Sequence, residues 1–339
     1  MNWNKVEITN EDGDKVLAQA PIIISASRST DIPAFYSDWF FNRLKKGYLV
    51  WNNPFNGVPL YVTFKKTRLI VFWSKNPKPI IRHLDYLDDN GINYYFQFTL
   101  NDYDNEKLEE FVPKLDRRIE TFIELSEKIG KEKVIWRFDP YILTNTMGVN
   151  ELLKKTEKIG DLLKDYTNKL VFSFADIKIY KKVQKNLSRD SIPYVEFDEK
   201  SMNELAHGLQ ELNKKWGLEI ATCAEKIDLK KYNILHNKCI DDELMKKLFY
   251  NDDALMNFLG YEYKKADLFD PTSKLVAVKI KNLKDKGQRI ECGCIASKDI
   301  GQYNTCPHGC VYCYANTSKQ IALDNYLKYK NNPDKKTII

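Results

Sequence analysis

The apolar residues of this 339-residue chain are concentrated in six short runs that recur along its first 222 positions. Continuous runs of this length, rich in Ile, Val and Phe, are typical of strands covered on both faces, as in parallel sheets. We therefore predict six strands, over residues 21–27, 69–73, 94–99, 134–138, 170–174 and 218–222.

Between these runs lie amphipathic stretches in which Leu, Ile and Phe recur at three- and four-residue steps, the spacing of a helix with one buried face. The predicted helices cover residues 38–46, 78–89, 105–129, 149–166 and 200–216. Gly47, Gly91, Gly130 and Gly217 lie just past four of their ends, where a left-handed backbone favours glycine. Strand and helix thus alternate, which predicts an α/β fold with six parallel strands, either a barrel or an open sheet.

Two regions depart from this alternation. Residues 48–64 contain two extended runs around Asn56-Gly57 and predict a β-hairpin that lies outside the alternating core. Beyond residue 226 we predict a helix over 241–259, a lysine-rich and loop-rich bridge over 261–290, and a short helix with a charged tail after Asn316. We therefore divide the chain into a strand–helix domain, residues 1–226 with the hairpin inserted, and a C-terminal extension, residues 227–339.

Each predicted strand is followed by polar residues. The carboxyl ends of parallel strands form the ligand face of α/β folds, so these residues predict one shared site. Helix N-capping would explain Asp31 or Asn101 equally well. It explains cations poorly, because positive charge is disfavoured at helix N-termini. The polar residues selected at the strand ends are Arg28, Ser29, Asp31, Lys75, Asn76, Thr99, Asn101, Arg137 and Asp139.

Composition limits the class of partner and the location. The chain has 53 basic and 47 acidic residues, and its net charge of +6 fits a lysine-rich protein as well as a nucleic-acid binder. No run is long and apolar enough to span a membrane, and the first residues lack the apolar core of a signal peptide. We expect a cytoplasmic protein without membrane contact, in a reducing compartment where clustered thiols more often bind metal than form disulfides.

Three of the seven cysteines, Cys306, Cys310 and Cys313, share one short loop with C-x₃-C-x₂-C spacing. Three thiolates on such a loop can hold three irons of a [4Fe–4S] cluster and leave the fourth iron open for another ligand. A zinc site with His308 as the fourth ligand is the alternative. His308 lies between the first two cysteines, so it would need a tight reversal of the chain to reach the same ion.

The other four cysteines are Cys223, Cys239, Cys292 and Cys294. Four thiols are what a second [4Fe–4S] cluster or a structural zinc requires, and the glycine between Cys292 and Cys294 lets the backbone bend around a metal. The paired C-x₂-C motifs that are usual in four-cysteine zinc sites are absent. Cys223 and Cys239, taken singly, fit equally well as ordinary buried residues, since free cysteine packs as a small hydrophobe.

The spacing of Cys306, Cys310 and Cys313, with the aromatic Tyr312 before the last cysteine, resembles the signature of radical S-adenosylmethionine (SAM) enzymes. The segment Cys-Val-Tyr-Cys-Tyr-Ala-Asn over 310–316 is similar to the cluster loop of spore photoproduct lyase-like members. Over nearly its whole length the chain also resembles a family known only as a domain of unknown function. The resemblance implies a partial (βα)6 barrel of the TIM type, a [4Fe–4S] cluster and bound SAM. The segments that carry it are 25–33, 72–77, 137–140, 222–225 and 292–316.

One departure from the radical-SAM pattern predicts a geometry. In most of these enzymes the three-cysteine loop follows the first strand, whereas here it lies near the C-terminus. The resemblance therefore implies that the C-terminal cysteine-rich segment folds back over the barrel mouth, above Arg28, Lys75 and Arg137. The forked donors of Arg28 or Arg137 would suit the SAM carboxylate.

The glycine-glycine-acid run that usually holds the SAM amino group is also missing, so site residues can be assigned by position alone. The candidates for cofactor binding are Tyr312, Arg28, Ser29, Asp31, Asn76, Thr99 and Asn101. The candidates for catalysis are Arg137, Asp139 and Lys75.

Two functional hypotheses follow. The first is a radical-SAM enzyme that receives an electron from a flavodoxin or ferredoxin, cleaves SAM and abstracts hydrogen from a substrate that the sequence does not identify. The second is a zinc-stabilised nucleic-acid-binding protein. Lysine-rich stretches such as residues 274–286 favour the second hypothesis, and the small net charge disfavours it.

Overall fold

The structure is a computed structural model that describes residues 3–265 and 275–339. The described strands, numbered in chain order, are β1 (Lys5–Thr9), β2 (Lys15–Gln19), β3 (Ile23–Ala26), β4 (Tyr48–Asn52), β5 (Pro59–Thr63), β6 (Leu69–Ser74), β7 (Asn93–Thr99), β8 (Val134–Tyr141), β9 (Lys169–Phe174), β10 (Glu219–Thr222), β11 (Ile234–His236), β12 (Tyr261–Lys265), β13 (Leu275–Lys279) and β14 (Lys298–Asp299). The described α-helices are α1 (Ile32–Phe35), α2 (Ser37–Lys45), α3 (Leu84–Asp89), α4 (Leu115–Ile129), α5 (Val149–Leu163), α6 (Lys181–Arg189), α7 (Glu199–Trp216), α8 (Asp242–Phe249), α9 (Asp253–Leu259) and α10 (Lys319–Asn331). Short 3₁₀ helices cover Lys78–His83, Lys131–Lys133 and Lys230–Tyr232.

The main sheet has eight strands in the order β11-β10-β9-β8-β7-β6-β3-β14, and every neighbouring pair is parallel. The six predicted strands form its centre in sequence order, which confirms the α/β fold with a parallel sheet. The predicted number of strands was too small, because the short edge strands β11 and β14 carry no apolar run of their own. Within the described residues no pairing joins β14 to β11, so the sheet is not closed.

The two faces of the main sheet carry separate apolar cores because side chains alternate along each strand. On the outer face Phe72, Phe96 and Trp136 pack among apolar residues of α2 to α7. On the inner face Tyr95 and Val171 pack against residues of α8 and α9 and against the segment 292–295. Burial on both faces explains why the central strands read as continuous apolar runs.

Residues beyond 226 are part of this same architecture. They supply both edge strands of the sheet, and they supply the helices that cover its inner face. β14 pairs with β3 in parallel, with Lys298 opposite Ile24, which brings the following cysteine-rich segment to the carboxyl end of β3. No helix in the described ranges is long and apolar enough to cross a membrane.

The predicted hairpin over 48–64 is present as the antiparallel pair β4 and β5, outside the main sheet. It joins a second hairpin, β1 and β2, that the apolar pattern did not predict, in a four-stranded sheet of order β1-β2-β5-β4. The predicted loop-rich bridge over 261–290 contains the antiparallel pair β12 and β13. Its residues 266–274 lie outside the described residues, as does the first residue of the lysine-rich stretch 274–286.

Two predicted helices differ most from the structure. The helix expected from residue 105 begins only at Leu115, because Pro113 lacks the N–H that a helix through it would need. The loop before it is fixed by Asp104, whose Oδ2 accepts a hydrogen bond from the Leu115 N–H at 3.1 Å. The helix predicted over 241–259 is divided into α8 and α9, and Asp252 caps the second by accepting from the Leu255 N–H at 3.0 Å.

Candidate functional site

The cysteine-rich segment that follows β14 crosses the carboxyl ends of the neighbouring strands. Oδ2 of Asp299 accepts hydrogen bonds from the Ser25 hydroxyl at 3.1 Å and from the Arg28 N–H at 3.0 Å. Further along, the hydroxyls of Thr305 and Thr30 lie 2.7 Å apart. These contacts place the segment against the loop after β3.

Asp31 joins the first strand end to the second and to the cysteine loop. Its carboxylate accepts from the Ser74 hydroxyl at 2.7 Å, from the Lys75 N–H at 2.8 Å and from the Ala34 N–H at 3.0 Å. The same carboxylate contacts Nε2 of His308 at 2.7 Å. Asp31 is therefore the N-cap of α1, and its hydrogen bonds connect the loop after β3 to the loop after β6 and to the cysteine loop. Protein groups already occupy both of its carboxylate oxygens.

Glu109 is the centre of a second, fully buried network. Its Oε1 accepts hydrogen bonds from Lys75 Nζ at 2.7 Å, from Asn101 Nδ2 at 3.0 Å and from the Tyr312 hydroxyl. Arg118 NH1 lies 3.5 Å from the other carboxylate oxygen. Burial alone would raise the pKa of Glu109, but the charges of Lys75 and Arg118 outweigh it and lower the pKa to about 2.

This network holds the aromatic residue of the cysteine motif. Lys75 Nζ donates to the Tyr312 hydroxyl at 2.8 Å, and Asn101 Nδ2 donates to it at 3.0 Å. Three of the predicted site residues, from three separate parts of the chain, therefore meet at one point. Sequence reasoning missed Glu109, because it lay inside the stretch predicted as helix from residue 105; Pro113 was the signal that this stretch is a loop.

The thiols of Cys306, Cys310 and Cys313, called here the three-thiol loop, are half-buried beside this network. Burial raises the pKa of Cys306 to about 12 and raises the pKa of Cys310 and of Cys313. The positive charge of Lys75 acts in the opposite direction on the pKa of both Cys310 and Cys313. In the part of the chain that the structure describes, the three thiols influence one another through charge, and no hydrogen bond joins two of them.

The other cysteines, Cys223, Cys239, Cys292 and Cys294, meet at the inner face of the sheet and are called here the four-thiol group. The Sγ atoms of Cys223 and Cys239 lie 3.5 Å apart. The backbone N–H groups of Cys239 and Ile240 donate to Cys294 Sγ at 3.2 and 3.4 Å. Among the described residues, the three-thiol loop included, no group of three or more Cys, His, Asp or Glu side chains is arranged to hold a metal ion. A bound metal would therefore require rotations of these side chains.

Arg28 and Arg137 face the four-thiol group. Arg137 NH1 donates to Cys239 Sγ at 3.1 Å and to Gln97 Oε1 at 3.0 Å, while its NH2 and Nε donate to Asp139 Oδ2 at 2.5 and 3.1 Å. The Arg28 guanidinium lies 5.2 Å from the centre of a Trp ring, and its buried NH2 has no hydrogen-bond partner. Both guanidinium groups lie in the electrostatic field of Cys239.

The remaining candidate residues differ in whether their side-chain polar atoms already have a hydrogen-bond partner in the protein. Ser29 Oγ contacts Ser27 Oγ at 3.2 Å, and Asp139 accepts a hydrogen bond from the Ser173 hydroxyl. Asn76 and Thr99 are half-buried, and within the described residues their side chains make no hydrogen bond. Their polar groups thus remain available to a ligand at the strand ends.

Comparisons with known proteins identify a family. A family model described as "Domain of unknown function (DUF1848)" matches residues 23–315, which include every strand of the main sheet and both groups of thiols. The chain belongs to this family. A comparison of the DUF1848 chain with curated proteins gives no match.

Among solved structures, the DUF1848 chain is similar to a crystal structure of a "putative alpha-L-fucosidase" from Bacteroides thetaiotaomicron, with 12% sequence identity and a TM-score of 0.25. The match covers 48% of this chain and 64% of that one, so it spans less than two thirds of the other protein. A TM-score this low does not indicate a common fold.

Proposed function

We propose that this DUF1848 protein is a radical-SAM enzyme whose three-thiol loop holds a [4Fe–4S] cluster. The observation that carries the proposal is the position of the loop, because three thiols without a fourth lie against the ligand edge of a parallel sheet. A cluster with SAM on its open iron would supply one-electron cleavage of SAM and hydrogen abstraction from a substrate.

The surroundings of the three sulfurs support this assignment. The backbone N–H groups of His308 and Asp31 act to lower the pKa of Cys306, and those of Ala315 and Asn316 act to lower the pKa of Cys313, against the larger effect of burial. Hydrogen bonds to sulfur favour the thiolate, and they help set the reduction potential of iron–sulfur clusters. The absence of a hydrogen bond between any two of these thiols in the described residues also fits sulfurs that are held on separate irons.

The chain's own residues would position the loop and bind the cofactor. Lys75 places a buried cation beside Cys310. Its contacts with Tyr312 and Glu109 also hold the three-thiol loop against the strand ends. Asn76 and Thr99 retain free polar groups at the same edge, so we assign them to SAM. Asp31, Asn101 and Tyr312 act by positioning, because protein partners already occupy their polar atoms.

Arg28 and Arg137 are less suited to the SAM carboxylate than their positions in the sequence suggested. The donors of Arg137 are used by Gln97, Asp139 and Cys239. Arg28 lies in the electrostatic field of Cys294 and of Asp299. We infer that both guanidinium groups serve the four-thiol group, and that catalytic roles are better sought at Lys75 and Asp139.

The proposed function also includes a barrel architecture, an electron donor and a location for the enzyme. The six central strands follow one another in sequence order, as in a partial (βα)6 barrel, and we propose that the open sheet is such a barrel extended by β11 and β14. Lys182, on the lysine-rich helix α6, acts through its charge on Cys313, which favours an acidic electron donor such as a flavodoxin or ferredoxin. Reduced thiols fit a cytoplasmic location.

Anaerobic purification followed by metal and cofactor analysis tests the proposal. We expect a brown protein with at least about four irons and four sulfides per chain, whose visible absorption bleaches with dithionite. Reduced protein should convert SAM to methionine and 5′-deoxyadenosine. Cys310→Ala should abolish this conversion, whereas Ile321→Ala, on the exposed side of α10, should not. Cleavage of SAM that survives in Cys310→Ala would overturn the proposal.

One observation favours a second candidate, a zinc site formed by the three thiols and His308. Nε2 of His308 contacts the Asp31 carboxylate, while its buried Nδ1 has no partner, and metal-bound histidines commonly have such a carboxylate on the other nitrogen. Zinc in this loop would leave the protein colourless and without sulfide. His308→Ala would then release the metal, whereas iron held by three thiolates alone would be retained.

A further inference from the structure

The four-thiol group lies on the inner face of the sheet and has no residue in common with the three-thiol loop. Cys223 follows β10, Cys239 follows β11, and Cys292 and Cys294 come from the segment that precedes β14 and packs on the inner face of the sheet. Three separate stretches of chain thus deliver four thiols to one place. Such convergence without a disulfide indicates a metal.

The distance between two of the sulfurs distinguishes one ion from a cluster. With Zn–S bonds of about 2.3 Å, a regular tetrahedron separates its sulfurs by ~3.8 Å. Cys223 Sγ and Cys239 Sγ are 3.5 Å apart, close to that edge length. In a [4Fe–4S] cluster each thiolate binds a different iron at its own corner of the cube, which keeps the thiolates farther apart. From this geometry we propose that Cys223, Cys239, Cys292 and Cys294 bind a single tetrahedral metal ion, Zn²⁺ by ligand preference, and not a second cluster.

The hydrogen-bond donors around the sulfurs support thiolates, which a metal requires. The N–H groups of Cys239 and Ile240 donate to Cys294 Sγ at 3.2 and 3.4 Å. Asn237 Nδ2 and Arg137 NH1 donate to Cys239 Sγ at 3.3 and 3.1 Å. A thiol sulfur is a weak acceptor, so four donors on two sulfurs indicate negative charge there.

Two buried cations point to the same conclusion. Arg137 is 2% exposed, and the NH2 group of Arg28 is buried without a partner beside the field of Cys294. Buried guanidinium groups are costly unless an anion compensates them. A zinc ion with four thiolates carries two net negative charges, equal in magnitude to the two positive charges of these guanidinium groups.

The backbone is shaped for close approach at this point. A Cβ on Gly293 would lie 2.9 Å from Lys238 Cγ and 3.5 Å from the Asn237 carbonyl oxygen. Glycine at 293 therefore lets the turn between Cys292 and Cys294 lie directly on the segment that carries Cys239. With four protein ligands no position remains for water, so the ion would be structural and would hold the C-terminal helices against the inner face of the sheet.

Metal analysis of a variant without the three-thiol loop tests the proposal independently of the proposed enzyme function. Cys306→Ala, Cys310→Ala and Cys313→Ala are combined in the full chain, which is purified anaerobically. We expect about one zinc per chain and no acid-labile sulfide. Exchange with Co²⁺ should give the visible bands of a tetrahedral thiolate site. Adding Cys239→Ser should remove the ion and lower the midpoint of thermal unfolding, whereas adding Ile321→Ala should change neither.

Three results would overturn the proposal. They are iron with sulfide in the triple variant, no bound metal in it, or a disulfide between Cys223 and Cys239 found by mass spectrometry of the alkylated protein. If the triple variant does not fold, X-ray absorption at the zinc edge of the wild type provides the measurement. A shell of sulfur alone near 2.3 Å supports the site, and a shell that contains nitrogen or oxygen, or no zinc, contradicts it.

Discussion

Replacing Glu109 with glutamine tests the network that fastens the three-thiol loop to the strand ends. The Glu109 side chain is 0% exposed and pairs with Lys75 at 2.7 Å and with Arg118 at 3.5 Å. Glutamine keeps the shape of the side chain but removes its charge, so Lys75 loses its counter-ion and Arg118 keeps only Asp104, whose Oδ1 lies 3.4 Å from Arg118 NH2. Breaking a buried ion pair in this way typically costs about 3–5 kcal/mol of unfolding free energy.

The pKa of the same carboxyl gives a second measure of this contribution. The pKa of Glu109 is lowered from 4.5 to about 2. At about 1.4 kcal/mol for each pKa unit, the ionised form stabilises the fold by about 3 kcal/mol. Because the folded-state pKa is the lower one, this stabilisation is complete above about pH 4.5 and is lost as the pH falls toward 2.

Urea unfolding followed by tryptophan fluorescence measures the effect. At pH 7 we expect Glu109→Gln to unfold with about 3 kcal/mol less free energy than the wild type, and the difference should shrink below pH 4.5. The matched control is Glu110→Gln, whose surface pair with Lys319 should be worth less than about 1 kcal/mol. Equal stability of the wild type and Glu109→Gln, or a difference that does not depend on acid pH, would refute the network.

Three further predictions concern the same region. Lys75→Met should lower the reduction potential of a cluster on the three-thiol loop, because a nearby cation favours the reduced form. An EPR-monitored redox titration measures this potential, and Lys75→Arg, which keeps the charge, should have a potential close to that of the wild type. Gly301→Ala should lower the midpoint of thermal unfolding, since its Cβ would collide with Ser27 Oγ. Gly148→Ala, whose Cβ would have nothing within 4 Å, should not. Equal midpoints would contradict the close approach of the segment after β14 to the loop after β3. Asp31→Ala should destabilise the fold by about 2 kcal/mol or more and Asp31→Asn by less, because asparagine keeps one acceptor oxygen for the helix cap. Urea unfolding compares the two variants. Equal losses of unfolding free energy would show that the helix cap does not contribute.

The sequence pattern predicted the centre of the sheet well because burial on both faces produces long apolar runs. The run over 134–138, for example, lies in β8, and its side chains alternate between the two cores. The edge strands β11 and β14 have only three and two residues, so no periodicity could identify them. The N-terminal hairpin was missed for a related reason, since each of its strands buries only one fully enclosed side chain.

The site was predicted in part. Polar residues at the strand ends do converge, because the parallel arrangement places all carboxyl ends at one edge, and Lys75, Asn101 and Tyr312 meet there. Which partner each residue finds depends on side-chain direction, which the sequence pattern does not specify. Arg137 projects to the inner face and reaches Cys239, and Glu109 enters the site from a loop that had been assigned to a helix.

A cysteine loop at the end of the chain can serve a site at the first strands because the ligand edge is defined by strand direction and not by chain order. The contacts that position this loop join distant residues, with 277 positions between His308 and Asp31 and 203 between Tyr312 and Glu109. Closing such long loops has an entropic cost that is recovered only when the strand ends are already in place. Any metal on the three-thiol loop is therefore coupled to completion of the sheet, since its thiols reach their positions only when both ends of the chain have folded together.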